Sequence, residues 1–370
     1  AKGGDLTHFT IAGDDEKWRA EGDAHVGQTR LSARLSGSLA GGRPSIKGRI
    51  FSPLVRTADF GFALSIAAPD EEKTARERRS NVPSSRQNLF DDDPINLAWL
   101  RDLDLDIEVL VEEVNGVLVN IDKIDGRIEL SSGLLKIDRM RFDLVGGSVQ
   151  MVARVDTRAS TPAFMLRVSA DDIDLGDFIA KTQPDIPIDG ELDLLVNLTA
   201  SGDTSRALAA SLDGEIGLSM HRGRIRSSLV ELAALDFMSW MFAGSSVGDS
   251  TRIDCFLAQM EVKNGRGDFR TLVLDTPNVR TLGSGYIDLK NERIELQTDP
   301  KAKKKRFVKF TTRVSIEGPL SNPSVEVSGL GAAGRLVGEI VSAPINILGS
   351  LLPFINDGGK DMDNPCLKLK

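Results

Sequence analysis

The chain has 370 residues, 41% of them hydrophobic and 27% charged, with a formal net charge of −8. That is enough apolar material to bury a core, so wholesale disorder is excluded, and the acidic balance argues against nucleic acid as a partner. Three histidines and two cysteines leave no ligand set for a structural zinc or an iron–sulfur cluster, so no metal or cofactor is expected. With 35 glycines and only 19 aromatic residues (15 Phe, 3 Trp, 1 Tyr), the profile suits many short strands joined by tight turns.

In chain order, weak strand patterns come first, at Leu31 to Leu35, Ser45 to Phe51 and Phe60 to Ala67. Pro69 to Phe90 is different: charged, mixed in sign and poor in apolar residues, it reads as a flexible excursion. It separates an N-terminal β segment (1–69) from a main sheet (91–370), with 70–90 as the excursion. Beyond it, period-2 alternation dominates. It runs through Arg127 to Leu130, Leu135 to Asp138, Arg141 to Leu144, Val149 to Val155, Phe164 to Val168, Leu192 to Leu198 and Ile216 to Met220. It returns at Ile253 to Val262, Phe269 to Asp275, Gly283 to Leu289 and Phe307 to Ile316. The breaks carry hairpin chemistry, such as Ser131-Ser132-Gly133, Gly146-Gly147 and Asn264-Gly265. Helical patterns are few: Leu175 to Thr182, Thr204 to Ala210, 227–243 and 332–352.

The expected fold is therefore mainly β, a long antiparallel meander with a few short covering helices. One apolar face must be covered, and the helices are too few to cover it. The sheet either closes on a filled core or curls into a groove whose lining meets a ligand; periodicity alone does not choose. The alternation puts Ile128, Leu130, Ile137, Phe142, Leu144, Met151, Phe164, Leu166, Leu194 and Val196 on that face. Glu129, Lys136, Asp143, Gln150, Arg167 and Asp193 lie on the other, with Leu195 the exception to its polarity.

Four stretches together resemble the AsmA-like C-terminal region. They are Leu89-Phe90-Asp91-Asp92-Asp93-Pro94-Ile95-Asn96-Leu97 running into Leu103 to Asp106, Arg206 to Gly214, Thr276 to Leu289, and Glu317 to Pro323. The resemblance runs from about Leu89 to the C-terminus. It implies a bacterial envelope protein, anchored in the inner membrane by an upstream helix, with this β-rich portion in the periplasm. It also implies a long apolar-lined groove that carries or holds phospholipid, making the ten residues above its lining, and a link to outer-membrane assembly. Phospholipid, the membrane and envelope proteins are the partners expected. The runner-up is a closed β scaffold that binds other proteins without moving lipid.

Chemical motifs are weak. Gly244-Ser245-Ser246-Val247-Gly248 matches a nucleophile elbow but sits between a helix and a strand, the reverse of what that elbow needs. Asp102, Asp104 and Asp106 have Ile107 where a calcium loop needs glycine, and read as one solvated strand face. An enzyme is therefore not expected. Lys301, Lys303, Lys304, Lys305 and Arg306 form a basic run suited to a hairpin tip or to anionic headgroups. No run of 18 apolar residues exists, and any targeting segment is expected upstream of Ala1. Cys255 and Cys366, an even pair in an oxidising compartment, are expected to form a disulfide.

Overall fold

The computed structural model describes residues 4–60, 88–116, 120–176, 188–226, 250–303 and 313–328, apart from 15, 40, 41, 145 and 278. Four strands precede the charged excursion: β1 (Gly4–Gly13), β2 (Lys17–Val26), β3 (Thr29–Ser38) and β4 (Ser45–Arg56). After it come β5 (Asp104–Val111), β6 (Val114–Asn115), β7 (Asn120–Ser131), β8 (Leu134–Leu144), β9 (Gly147–Asp156), β10 (Ala163–Asp174) and β11 (Ile188–Ser201). A six-residue helix α1 (Ser205–Ala210) leads into β12 (Asp213–Arg226). The C-terminal strands are β13 (Ser250–Lys263), β14 (Arg266–Asp275), β15 (Val279–Asp288), β16 (Arg293–Ala302), β17 (Arg313–Pro319) and β18 (Ser324–Ser328). All 18 belong to one sheet. Each pairs with its neighbour in the chain, with β5 and β6 sharing the place between β4 and β7. The extensive strand-to-strand contacts all run between these ladder neighbours.

β4 departs from the expected antiparallel order: it runs parallel to β5, Ser45 opposite Asp104 through Ser52 opposite Val111, and to β6, Val55 opposite Val114. A parallel neighbour cannot be reached by a hairpin, because the chain must first return to the end where the previous strand began. That return falls between Arg56 and Asp104. Residues 61–87, which hold most of the excursion and of the expected strand Phe60 to Ala67, lie outside those described, as do 177–182 of the expected helix Leu175 to Thr182, the expected helices at 227–243 and 332–352, and the motif at 244–248.

Two further differences have local causes. The sequence pattern missed β1 and β2, whose inward positions on β2 include Ala20, Gly22 and Ala24, too small to register as an apolar alternation. Conversely, 135–138 and 141–144 read as two strands but form the single strand β8. Arg139, at φ 55°, is a bulge residue that interrupts the alternation without ending the strand.

The two rims of the sheet are closed differently. At one, Asp59 accepts hydrogen bonds from the Gln28 and Thr29 N–H groups at 2.9 and 3.0 Å and from the Thr29 hydroxyl at 3.1 Å. Burial opposes ionisation of Asp59, but these bonds outweigh it and hold the carboxyl below its usual range. The turn beneath it needs Gly27, whose φ is 62° and whose missing side chain leaves room for the carboxylate. Along the other rim runs an extended strap. Glu292, in the turn after β15, accepts from the Leu89 and Phe90 N–H groups at 2.9 and 3.3 Å. Arg206 of α1 pairs with Asp92 at 3.2 Å and Glu292 at 3.4 Å and donates to the Phe90 carbonyl. Ser205 bonds Asp91, and Ile95 N–H donates to the Asp203 carbonyl at 2.7 Å. A 3-10 turn (Ala98–Arg101) then buries Leu100 and sends Arg101 to the carbonyls of Thr157 and Ala159 before β5 begins.

Candidate functional site

Residues opposite one another on a ladder present their side chains to the same face. One row across six strands reads Ile107, Ile128, Ile137, Ala153, Leu166, Leu198. The next reads Leu105, Leu130, Leu135, Val155, Phe164, Ala200. A third runs Met140, Met151, Val168, Val196, Ile216, Met260, and a fourth Phe142, Val149, Ala170, Leu194, Leu218, Ala258. Leu144 joins the same face opposite Ile121. The structure thus brings all ten residues singled out from the sequence onto one continuous apolar face.

The face extends further than the sequence pattern revealed. Ile46 and Ile50 of β4 stand opposite Leu105 and Val109, and Ala33 and Leu35 of β3 continue the rows. Three bulges keep the face continuous. At Arg139, Asp172 and Arg222, each with φ between 52° and 55°, one extra residue resets the in–out parity of its strand. Hence odd-numbered Ile137 and even-numbered Met140, or Ala170 and Ile173, share a face although plain alternation would separate them. Glycines give bulky neighbours room on this face: the Trp18 indole lies where a side chain at Gly37 would stand.

Burial along the face is uneven. On the C-terminal strands Ile253, Phe256, Leu272, Leu274, Ile294, Leu296 and Ile316 form a buried cluster, with Leu296 only 2% exposed. On β7–β11 the same face is mostly half-buried, with Leu130, Met140 and Ala170 buried and Leu166 37% exposed. Among the described residues no second layer of strands covers it.

The opposite face carries many cross-strand ion pairs, although on β13 and β14 it also buries Cys255, Leu257 and Val273. Glu21–Arg34, Arg49–Glu108 and Arg127–Asp106 follow one another at 2.6, 2.6 and 2.7 Å across β2 to β7. Asp104, read from sequence as a solvated carboxylate, accepts from Arg43 at 3.1 Å and from the Ser132 N–H at 2.9 Å. Most of these pairs are well exposed, and such pairs contribute about 0–1 kcal/mol each. Arg158, hydrogen-bonding Asp156 through side chain and backbone, lowers that carboxyl from 3.8 to about 2. A folded-state value below the unfolded one means this contact stabilises fully above pH ~4 and is lost as the pH falls toward 2. Denaturant midpoints for wild type and Asp156→Asn should therefore differ at pH 5 and converge near pH 2.

Of the basic run, Lys303 is held by Asp275 at 2.8 Å and Asp254 at 3.8 Å, so it serves an ion network in which Arg280 also reaches Asp275. Lys301 stands opposite Arg280 on the ladder, and Lys304, Lys305 and Arg306 lie outside the described residues. Cys255 is 2% exposed on β13 and is not a free thiol; Cys366 lies outside the described residues. Thiol titration of the denatured, unreduced protein is expected to find no reactive cysteine, and two would remove the proposed Cys255–Cys366 bond.

The described residues define a class: a β meander forming one sheet, with one long apolar face and a largely charged opposite face. The AsmA family model matches residues 17–272, and the chain belongs to that envelope-associated family. The match takes in β2–β4 as well as the strands after the excursion, a wider N-terminal reach than the motifs from Leu89 onward indicate. The chain is similar to the AsmA family protein YhjG of Escherichia coli (strain K12), 20% identical over 346 residues. That alignment covers 90% of this chain and 50% of the relative, so the chain spans about half the length of the curated relative it matches. No solved structure matches.

Proposed function

We propose that this chain is a lipid-handling segment of an envelope protein, holding phospholipid acyl chains along the apolar face of β7–β11 without catalysing a reaction. The supporting observation is the half-buried state of that face: rows of Leu, Ile, Val, Phe and Met are continuous across the ladders yet partly open to solvent. Covering such a surface is favourable, and each acyl CH₂ removed from water contributes about 0.8 kcal/mol. A single chain laid along the rows would thus repay its own ordering. The family places the protein in the envelope, and we assign it to the periplasm, held to the inner membrane by a segment outside this sequence and supporting outer-membrane assembly. No helix among the described residues is long and apolar enough to cross a membrane.

A second reading, a closed scaffold that binds envelope proteins, draws on the buried cluster of the C-terminal strands. Native mass spectrometry of the purified chain separates the two. Co-purified phospholipid is the expected result, and a lipid-free protein from a lipid-replete host would favour the scaffold.

A further inference from the structure

At the N-terminal end of the sheet an open cleft of about 570 Å³ lies beside β1–β4, and Lys17, Arg19 and Lys47 line it. The ladder explains why they converge. Arg19 stands opposite Ser36 and Ser36 opposite Lys47, so one row reads cation, serine, cation. The next row reads Lys17, Ser38, Ser45. Short side chains on the middle strand leave a trough, and the two cations of the first row rise from strands two places apart, about 10 Å between backbones. That span suits two long cationic side chains folding over one oxyanion.

Elsewhere on the charged face, cations such as Arg34, Arg49 and Arg127 have carboxylate partners within 3 Å. Among the described residues Lys17, Arg19 and Lys47 make no ion pair. The carboxylates beside them have other contacts: Asp14, in the cleft wall, accepts the Glu16 and Lys17 N–H groups, Glu21 is bound by Arg34, and Asp106, opposite Lys47, is bound by Arg127 and senses Lys47 only through space. Three cations without a contacting carboxylate around one concavity of a protein with net charge −8 make a place that an anion would favour.

We propose that this cleft binds a phosphate-bearing anion, with Arg19 and Lys47 as the paired clamp and Lys17 as the third contact. The site is on the charged face and does not depend on lipid lying along the apolar one. The phosphate could be a soluble one or a lipid headgroup, and the test separates them. The 370-residue chain is titrated with inorganic phosphate by calorimetry at low ionic strength, and floated with phosphatidylcholine vesicles with and without phosphatidylglycerol. Arg19→Gln with Lys47→Gln is compared with a charge-matched control, Arg224→Gln with Lys290→Gln; all four side chains are exposed, and circular dichroism checks the fold. The first pair should weaken binding about tenfold or more while the control leaves it unchanged. That pattern with inorganic phosphate identifies a soluble-phosphate site; the same pattern confined to phosphatidylglycerol vesicles identifies a headgroup site. No binding in either arm, or equal effects of the two double variants, overturns the proposal.

Discussion

Leu296→Asp should abolish cooperative folding, whereas Leu166→Asp and Leu194→Asp should leave the sheet intact and strip it of lipid. All three positions lie on the same face, so the difference rests on exposure alone. Leu296 is 2% exposed within the C-terminal cluster, and a carboxylate there has neither water nor a partner, a cost of several kcal/mol. Against a stability of about 5–15 kcal/mol for a typical domain, that is decisive. Leu166 is 37% exposed and Leu194 half-buried, so a carboxylate at either can turn to solvent while interrupting an apolar row. Circular dichroism melts and lipid co-purification read the two effects separately. Unfolding at Leu166 and Leu194 would mean a filled core and favour the scaffold. Intact folds with undiminished lipid would take these rows out of the lining.

The apolar face was legible where bulky and charged residues alternate, because a two-residue period is a strand's own signature. Glu129 and Lys136 face one way while Ile128 and Ile137 face the other, and the register confirms both placements. It was illegible where the face is built from small residues, as at Ala20, Gly22 and Ala24, or where a bulge shifts the parity, as at Arg139. The parallel entry of β5 was also hidden, because a crossover leaves no local period. The exposure that distinguishes β7–β11 from the C-terminal cluster depends on what lies over each strand, which no local pattern encodes. The cationic cleft escaped for a related reason: Arg19 and Lys47 lie 28 positions apart and meet only through Ser36 between them.

The strap shows the same limit and yields the second large expected effect. Leu89–Leu97 and Arg206–Gly214 drew attention separately, as stretches resembling one family; in the structure Asp91 and Asp92 of the first hold Ser205 and Arg206 of the second. Glu292 joins them from the turn after β15, so one carboxylate accepts two backbone N–H groups and a guanidinium. The strap lies along a rim from the turn before β16 back to β5. Glu292, whose side chain is 12% exposed, is the anchor at the far end, and Glu292→Ala should cost about 2–3 kcal/mol because its partners keep only partial access to water. Hydrogen exchange should quicken from Leu89 through Ile95 while the β7–β9 ladders keep their protection. Glu292→Gln, which retains an acceptor but not the charge, should fall between wild type and Ala. Exchange in 89–95 that is unchanged in Glu292→Ala would show that Ser205, Arg206 and the buried Leu100 hold the strap unaided, and that the Glu292 contacts add nothing to it.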